Sequence, residues 1–129
     1  FIISNRSIRN KVKLERLDRI AIAAMKQSCS RYKLIIDAIM PLSDVLSQIS
    51  AKQRLIPHLE KGERVLLNHV LEPKKDTCIL IGPEGDFTLE EIDMAIGWNF
   101  KPTSLGGQRL RTETAAIMVA SAFSYINEY

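Results

Sequence analysis

An unbroken run of apolar residues, followed at once by a glycine turn, is the strongest constraint that this sequence places on its fold. The run is Cys78–Ile81 and the turn is Gly82-Pro83-Glu84-Gly85. Runs of this length are typical of a parallel strand that is buried on both faces. We therefore expect a central strand of an open α/β sheet, with the turn at its carboxyl end, where such sheets bind their ligands.

A well-marked helix start follows the turn. Thr88 can cap the helix, and Glu91 stands three residues later, as in a capping box. Phe87 and Ile92 occupy the two positions of a hydrophobic staple. The sequence therefore predicts a strand, a glycine turn and a helix in direct succession.

The turn region lacks the common phosphate-binding loops. It matches neither G-x-x-x-x-G-K-[ST] nor G-x-G-x-x-G. Between Asp76 and Asp93 there are six acidic residues and no lysine or arginine, so a polyphosphate would meet like charge there. The region favours a neutral or positively charged ligand, although two glycines also form tight turns that bind nothing.

The overall composition fits one globular domain. The chain has 129 residues, 46% of them hydrophobic and 26% charged, which is enough for a single core. It has no apolar run of membrane-spanning length and no signal peptide, so we expect a cytoplasmic protein without membrane contact. Its cysteines and histidines lack the spacing of metal ligands, so no metal site is predicted. Phe1–Ile3 resembles the tail of a strand, so we expect the chain to begin inside a larger protein.

Charge is distributed unevenly along the chain. Residues 1–33 carry a net charge of +7 and the remainder carries −4, within a total of +3. A basic segment beside an acidic pocket indicates a polyanionic partner that is held near a non-phosphate ligand. A solvated basic helix face would produce the same charge pattern.

Helical and extended patterns alternate along the chain. This alternation predicts a parallel α/β sheet with flanking helices, in a single domain over residues 1–129. Besides the segments already named, the predicted elements are a helix from Ser7 or Arg9 to Ser28, an extended segment Leu34–Met40, a helix Ser43–Ile49, a strand Arg54–His58, an amphipathic piece Arg64–Leu71 and a strand Lys101–Leu105.

A second glycine turn joins the last predicted strand to the last predicted helix. It runs over Gly106–Arg111, and Thr112 opens the helix. Two such turns at one edge of a parallel sheet can lie side by side and form one pocket. The helix is apolar on nearly every face from Ala115 to Phe123, so we expect either a second subunit or a further segment of chain to cover it.

Both turn motifs resemble those of the RsmE family. The stretches that carry the resemblance are Ile81–Phe87, Leu105-Gly106, Leu110–Ala115, Ser4–Ser7, and Gln27-Ser28 with Arg31. RsmE proteins are SPOUT-class methyltransferases that act on N3 of a uridine in the 16S ribosomal RNA of the small subunit. The likeness spans essentially the whole chain. By this resemblance we expect a truncated catalytic domain, without the family's N-terminal RNA-binding barrel and without the opening strand and helix of the catalytic domain.

The resemblance implies a C-terminal trefoil knot, in which the segment around Leu105–Thr114 is tucked through a loop of the chain. It also implies that S-adenosylmethionine, which has a sulfonium cation and no phosphate, binds among the knot loops. A homodimer is implied as well, with the apolar closing helix at or near the interface. Carried over position by position, the implied cofactor contacts are Ile81, Gly82, Pro83, Glu84, Gly85, Leu105, Gly106 and Leu110, with His58 and Leu59 as a third wall. Arg111 is a further candidate beside these ten.

Methyl transfer to a uridine nitrogen requires that the N3 proton leave, and negative charge then develops on the flanking carbonyl oxygens. A guanidinium suits that charge because it is planar and permanently cationic. On this reasoning we expect Arg111, with Arg109 second, to stabilise the uridine anion. Glu113 or Glu84 could accept the proton, or simply hold the loops.

Two positions depart from the family pattern, and two further arginines suit the RNA. Many members have Gly where Asp86 stands and Arg where Gln108 stands, and Arg109 could supply the displaced guanidinium. Arg6 and Arg31 are predicted to contact the RNA backbone or the pocket wall. The expected partner is small-subunit ribosomal RNA or the pre-assembled small subunit.

Two other functions remain open at this point. A non-catalytic RNA-binding or ribosome-assembly module would keep the fold without turnover. An α/β enzyme that uses a nucleotide is disfavoured by the acidic turn, and the absence of a G-x-S-x-G elbow argues against acyl-transfer hydrolysis. Tight binding of S-adenosylmethionine would distinguish the methyltransferase from both.

Overall fold

The computed structural model describes residues 1–7 and 11–127 of the chain. Its strands, all short, are β1 (Ile2–Ile3), β2 (Met40–Pro41), β3 (Gln53–Pro57), β4 (Val65–Leu66), β5 (Thr77–Ile79) and β6 (Lys101–Ser104). The helices are α1 (Leu14–Gln27), α2 (Leu42–Gln48), α3 (Leu67–Val70), α4 (Leu89–Gly97) and α5 (Thr112–Asn127).

The strands form two parallel sheets. The main sheet has the order β4-β6-β3-β5, and β1 pairs with β2 in a separate two-stranded sheet. Every strand pair is parallel, which requires a crossover connection between partners. The predicted α/β class, with a parallel sheet and flanking helices, is confirmed.

Strand β3 divides the core into two parts. Leu55 and Ile56 are 2% and 0% exposed, and because successive side chains point to opposite faces of a sheet they enter different clusters. Ile56 packs with residues of α2 and α4, among them Leu46 and Ile92. Leu55 packs with residues of α3 and α5, among them Val119. The sheet is therefore covered by helices on both faces.

The predicted central strand lies at an edge of the sheet. Strand β5, which belongs to the apolar run, pairs only with β3 in the described part of the chain, and its three residues are half-buried. The strand buried on both faces is β3. Because β3 begins with the polar residues Gln53 and Arg54, its sequence does not show the apolar run that is typical of a buried strand. Their polar groups are used internally: Gln53 bonds the backbone of Val70 and Glu72 and the hydroxyl of Thr77.

The predicted start of helix α4 is confirmed. The Thr88 hydroxyl accepts a bond of 3.3 Å from the Glu91 amide, and the Glu91 carboxylate accepts one of 2.9 Å from the Thr88 amide. The same carboxylate accepts a 2.7 Å bond from the amide of Asn5. Phe87 and Ile92 share the first core cluster, as a hydrophobic staple requires. This cap fixes the chain direction immediately after the glycine turn.

The first two helices begin at residues that differ from the predicted starts. Helix α1 starts at Leu14, whereas a start at Ser7 or Arg9 was predicted; Arg9 itself lies outside the described residues. Lys11 and Lys13 remain before the helix, because positive charge is unfavourable at a helix N-terminus. Helix α2 starts one residue before the predicted Ser43 cap, since Pro41 with φ of −59° already sets the entry to the helix.

Candidate functional site

A cavity lies at the carboxyl ends of three neighbouring strands. The segments that follow β3, β5 and β6 each contribute a wall, as expected for a parallel sheet. The lining residues are Pro57, His58, Leu59, Ile81, Gly82, Pro83, Glu84, Asp86, Leu105, Gly106, Gln108, Arg109, Leu110, Thr112 and Ala115.

The two predicted glycine turns do meet in one pocket. Of the ten predicted cofactor contacts, all except Gly85 line the cavity. Gly85 faces away toward Arg6, because a Cβ on Gly85 would lie 3.1 Å from the Arg6 side chain. Arg109 also lines the cavity, and its guanidinium is 3.4 Å from the carbonyl oxygen of Glu84.

Thr112 joins the two turns directly. Its hydroxyl donates a 3.0 Å hydrogen bond to the carbonyl oxygen of Gly82. Thr112 is the first residue of α5, so this bond ties the start of the closing helix to the first glycine turn. The sequence analysis predicted Thr112 only as the start of a helix. Its hydroxyl, at the junction of the turn and the helix, was a sequence signal for a hydrogen bond at this position.

Asp86 connects the first turn to the third wall. Its backbone is in the left-handed region, with φ of 63°. One carboxylate oxygen accepts a 2.6 Å bond from the amide of Leu59, and the other accepts a 2.8 Å bond from the amide of Phe87. In the sequence this residue stood out only as a departure from the family pattern.

His58 places an unpaired imidazole in the cavity wall. The residue is 8% exposed, and neither ring nitrogen has a hydrogen-bond partner among the described residues. Burial lowers the pKa of His58, the nearby charge of Arg64 lowers it further, and the carboxylates of Asp86 and Glu60 oppose the change. The imidazole is therefore neutral near pH 7 and can still donate one hydrogen bond and accept another.

The charges around the cavity suit a ligand without phosphate. Glu84 and Asp86 line it, and Arg109 is the one lysine or arginine among its lining residues. A small ligand that carries positive charge suits the two carboxylates of this cavity.

The other predicted site residues lie outside the cavity lining. Arg111 and Glu113 are exposed and flank the lining residue Thr112. Among the described residues the Arg111 guanidinium forms neither a hydrogen bond nor an ion pair. Arg31 is exposed in the segment after α1, away from the cavity lining.

Arg6 is held against the first glycine turn. Its guanidinium donates a 2.7 Å bond to the carbonyl oxygen of Gly85 and lies 3.7 Å from the carboxylate of Glu60. Arg6 therefore bridges the N-terminal segment, the turn after β5 and the loop after β3, while almost half of its side chain stays exposed.

Metal-binding clusters and membrane-spanning helices are absent from the residues that the structure describes. These residues contain no group of three or more His, Cys, Asp and Glu side chains that could hold a metal ion. They also contain no helix that is both long and apolar enough to cross a membrane.

Comparison with known proteins identifies relatives of this chain. The family model for the RNA methyltransferase domain matches residues 1–124. The ribosomal RNA small subunit methyltransferase E of Rickettsia conorii is 34% identical over 108 residues, which cover 82% of this chain and 44% of the relative. The protein of the same name from Aquifex aeolicus is 34% identical over 93% of this chain and 53% of the relative.

Solved structures resemble the chain closely. A probable rRNA-methyltransferase from Porphyromonas gingivalis superposes with a TM-score of 0.92 at 38% identity, over 99% of this chain and 55% of that protein. A ribosomal RNA small subunit methyltransferase E from Neisseria gonorrhoeae, bound to S-adenosyl methionine, gives a TM-score of 0.85 at 27% identity, over 98% of this chain and 53% of that protein.

The chain thus spans about half the length of the relatives that it matches. The family model covers nearly all of it. The chain belongs to the RNA methyltransferase domain family and is similar to its small-subunit methyltransferase E members, in agreement with the RsmE resemblance of the two turn motifs.

Proposed function

We propose that this chain is the catalytic domain of an S-adenosylmethionine-dependent methyltransferase that modifies N3 of a uridine in small-subunit ribosomal RNA. The observation that carries the proposal is the single cavity shared by the two glycine turns and the third wall. The solved relative from Neisseria gonorrhoeae, which binds S-adenosyl methionine, supports the choice of cofactor.

The residues of the cavity fit this cofactor. We propose that the turn from Ile81 to Glu84 and the segment Leu105-Gly106 with Leu110 hold it, with His58 and Leu59 as the third wall. The bound cofactor supplies an activated methyl group on a sulfonium. The acidic Glu84 suits that cation, and the absence of a phosphate-binding loop is consistent with a ligand that has no phosphate.

The protein contributes positioning and charge stabilisation to the reaction. In-line transfer to N3 requires that the two reactants be held together in one orientation. We propose that Arg111, exposed beside the cavity and without a protein partner among the described residues, stabilises the uridine anion. Arg109 is second in this role, and Glu113 or Glu84 accepts the N3 proton or holds the loops.

The RNA approaches over the basic part of the chain. Residues 1–33 carry a net charge of +7, which favours a polyanionic partner. We propose that the exposed part of Arg6 and the exposed Arg31 contact the RNA backbone. The substrate is small-subunit RNA, or the assembled small subunit, in the cytoplasm.

A trefoil knot and a homodimer belong to the same proposal. The last strand, β6, lies between β4 and β3, and the segment after it packs against the turn that follows β5; both features are compatible with a threaded chain. On α5, Ile117 is 67% exposed and Tyr125 is 84% exposed. We propose that a second subunit covers this apolar surface.

Calorimetric titration of the chain with S-adenosylmethionine tests the proposal, with ATP as the control ligand. We expect saturable binding of S-adenosylmethionine and none of ATP. Such a result would lead directly to a methylation assay on small-subunit RNA. Binding of ATP alone would instead support a nucleotide enzyme, and binding of neither would favour the non-catalytic RNA-binding module.

A further inference from the structure

We infer that Asp86 is a positioning residue that holds the third wall of the cavity in place before the cofactor binds. The inference rests on the proposed cofactor site and concerns a residue outside the predicted set of cofactor contacts. Asp86 acts through Leu59, whose amide it binds, and through the turn on which it stands.

The bond to Leu59 is the only side-chain hydrogen bond between the first turn and the loop after β3 within the described residues. It joins positions 27 apart in the chain at 2.6 Å. Bonds from a backbone amide to a carboxylate are charge-assisted and stronger than neutral ones. Leu59 is itself 43% exposed, so apolar burial alone does little to fix this wall.

The backbone of Asp86 is adapted to this contact. A φ of 63° is unfavourable for most residues that carry a side chain, and such conformations are retained where the surroundings impose them. The second carboxylate oxygen binds the amide of Phe87, whose ring is buried in the core. The carboxylate also lies across Gly82, since a Cβ there would be 3.0 Å from Asp86 Oδ1. Asp86 therefore joins a rigid part of the fold to Leu59, which is the weakly packed end of the third wall.

A wall that is already in place lowers the cost of binding. When only a fraction of molecules has the competent conformation, the apparent dissociation constant rises by the reciprocal of that fraction. Loss of the Asp86 contact should therefore weaken cofactor binding by the factor by which it lowers the fraction of molecules in which the loop at Leu59 is closed.

Two variants separate this role from a general effect on folding. Asp86→Gly removes both hydrogen bonds and tolerates the left-handed backbone without strain. Asp86→Asn also tolerates that backbone, but its single carbonyl oxygen can accept only one of the two amide bonds. Each variant is compared with the parent chain for three properties: amide hydrogen exchange without ligand, affinity for S-adenosylmethionine, and unfolding in urea.

We expect Asp86→Gly to accelerate exchange of the Leu59 amide on the order of tenfold. S-adenosylmethionine binding should weaken by the ratio of the closed fractions of the parent and the variant. The amide of Leu80, which is bonded to the Leu55 carbonyl oxygen in the core, should exchange at the parent rate. Asp86→Asn should fall between the parent and the glycine variant in both measurements, and an unchanged rate at Leu80 separates this effect from a loss of overall stability.

Several outcomes would overturn the inference. One is an unchanged Leu59 exchange rate in Asp86→Gly, and another is a lower closed fraction with unchanged affinity. Equal acceleration at Leu59 and Leu80 would indicate a purely structural role. If the parent chain binds no S-adenosylmethionine, the proposed function fails together with the cofactor role of Asp86, whereas the exchange rates still report whether the contact orders the loop.

Discussion

The Thr112 hydroxyl donates a 3.0 Å hydrogen bond to the carbonyl oxygen of Gly82, although the two residues are 30 positions apart. The donor opens the closing helix and the acceptor opens the first glycine turn. Both residues line the cavity. This contact therefore sets the spacing between two of its walls.

Replacement of Thr112 by Val should weaken cofactor binding in the cavity. Val has nearly the same shape but no hydroxyl, so the Gly82 carbonyl oxygen loses its partner, a change that typically costs about 1 kcal/mol or more. We expect S-adenosylmethionine affinity, measured by calorimetry, to fall several-fold. Thr112→Ser retains the hydroxyl and serves as the control. Equal affinity of the Val and Ser variants would show that the bond has no role in binding.

Gly82 and Gly107 should respond differently to the same substitution. A Cβ on Gly82 would lie 3.0 Å from Asp86 Oδ1 and 3.2 Å from the buried ring of Phe87. A Cβ on Gly107 would meet no atom within 4 Å. We therefore expect Gly82→Ala to destabilise the fold by about 1–3 kcal/mol in urea unfolding and to reduce cofactor affinity. Gly107→Ala should match the parent in both measurements. A destabilising Gly107→Ala, with a neutral Gly82→Ala, would contradict this account.

Replacement of Arg111 by Ala should abolish methylation while leaving cofactor affinity within a few-fold. Arg111 lies outside the cavity lining, so its loss removes charge stabilisation and leaves the cofactor contacts in place. The assay measures methyl transfer to small-subunit RNA, beside a titration of each variant with S-adenosylmethionine. Arg111→Lys keeps the positive charge but not the planar group, and should retain only part of the activity. Turnover near the parent rate in Arg111→Ala would exclude the proposed role.

Because the pKa of His58 is lowered in the folded chain, the fold should be less stable in mild acid. The pKa of His58 is lowered from the ordinary value of 6.5, mainly by burial and then by Arg64. As the pH falls through 6.5, the unfolded chain therefore binds more protons at this residue than the folded chain does. Its contribution to stability is therefore complete above the unfolded pKa and is lost as the pH falls toward the folded pKa. We expect the urea-derived free energy of unfolding to decrease between about pH 7.5 and 5.5.

A His58→Gln variant is the control for this pH effect. Gln keeps a neutral polar group at the position and does not titrate, and the exposed His69 is common to both proteins. The decrease in stability should be smaller in the variant. Identical pH profiles for the two proteins would assign the effect to other groups.

Local sequence signals were sufficient to predict the two glycine turns and the start of helix α4. The capping box of Thr88 and Glu91 is confirmed because its contacts lie within one helical turn. The meeting of the two glycine turns was also predictable, since carboxyl ends of parallel strands share one edge of the sheet.

Contacts between distant segments were not predictable from local patterns. The central strand is β3, whose Arg54 donates to the carbonyl oxygens of Ala51, Ile49 and Trp98, and only the folded chain shows that this polar residue is satisfied. The bond between Asp86 and Leu59 is another example. Hydropathy reports burial of side chains, whereas strand order depends on pairings that are distant in sequence.

The position of β6 also determines the order in which the protein can be assembled. β6 is the last strand in the chain, yet it lies between two earlier ones and is the only partner of β4 in the main sheet of the described residues. Until residue 104 has left the ribosome, β4 and one edge of β3 have no strand to pair with. The emerging chain therefore exposes unpaired strand edges, which are prone to aggregation. The cavity is completed only after β6 has paired, because part of its lining, from Leu105 to Ala115, lies on the C-terminal side of that strand.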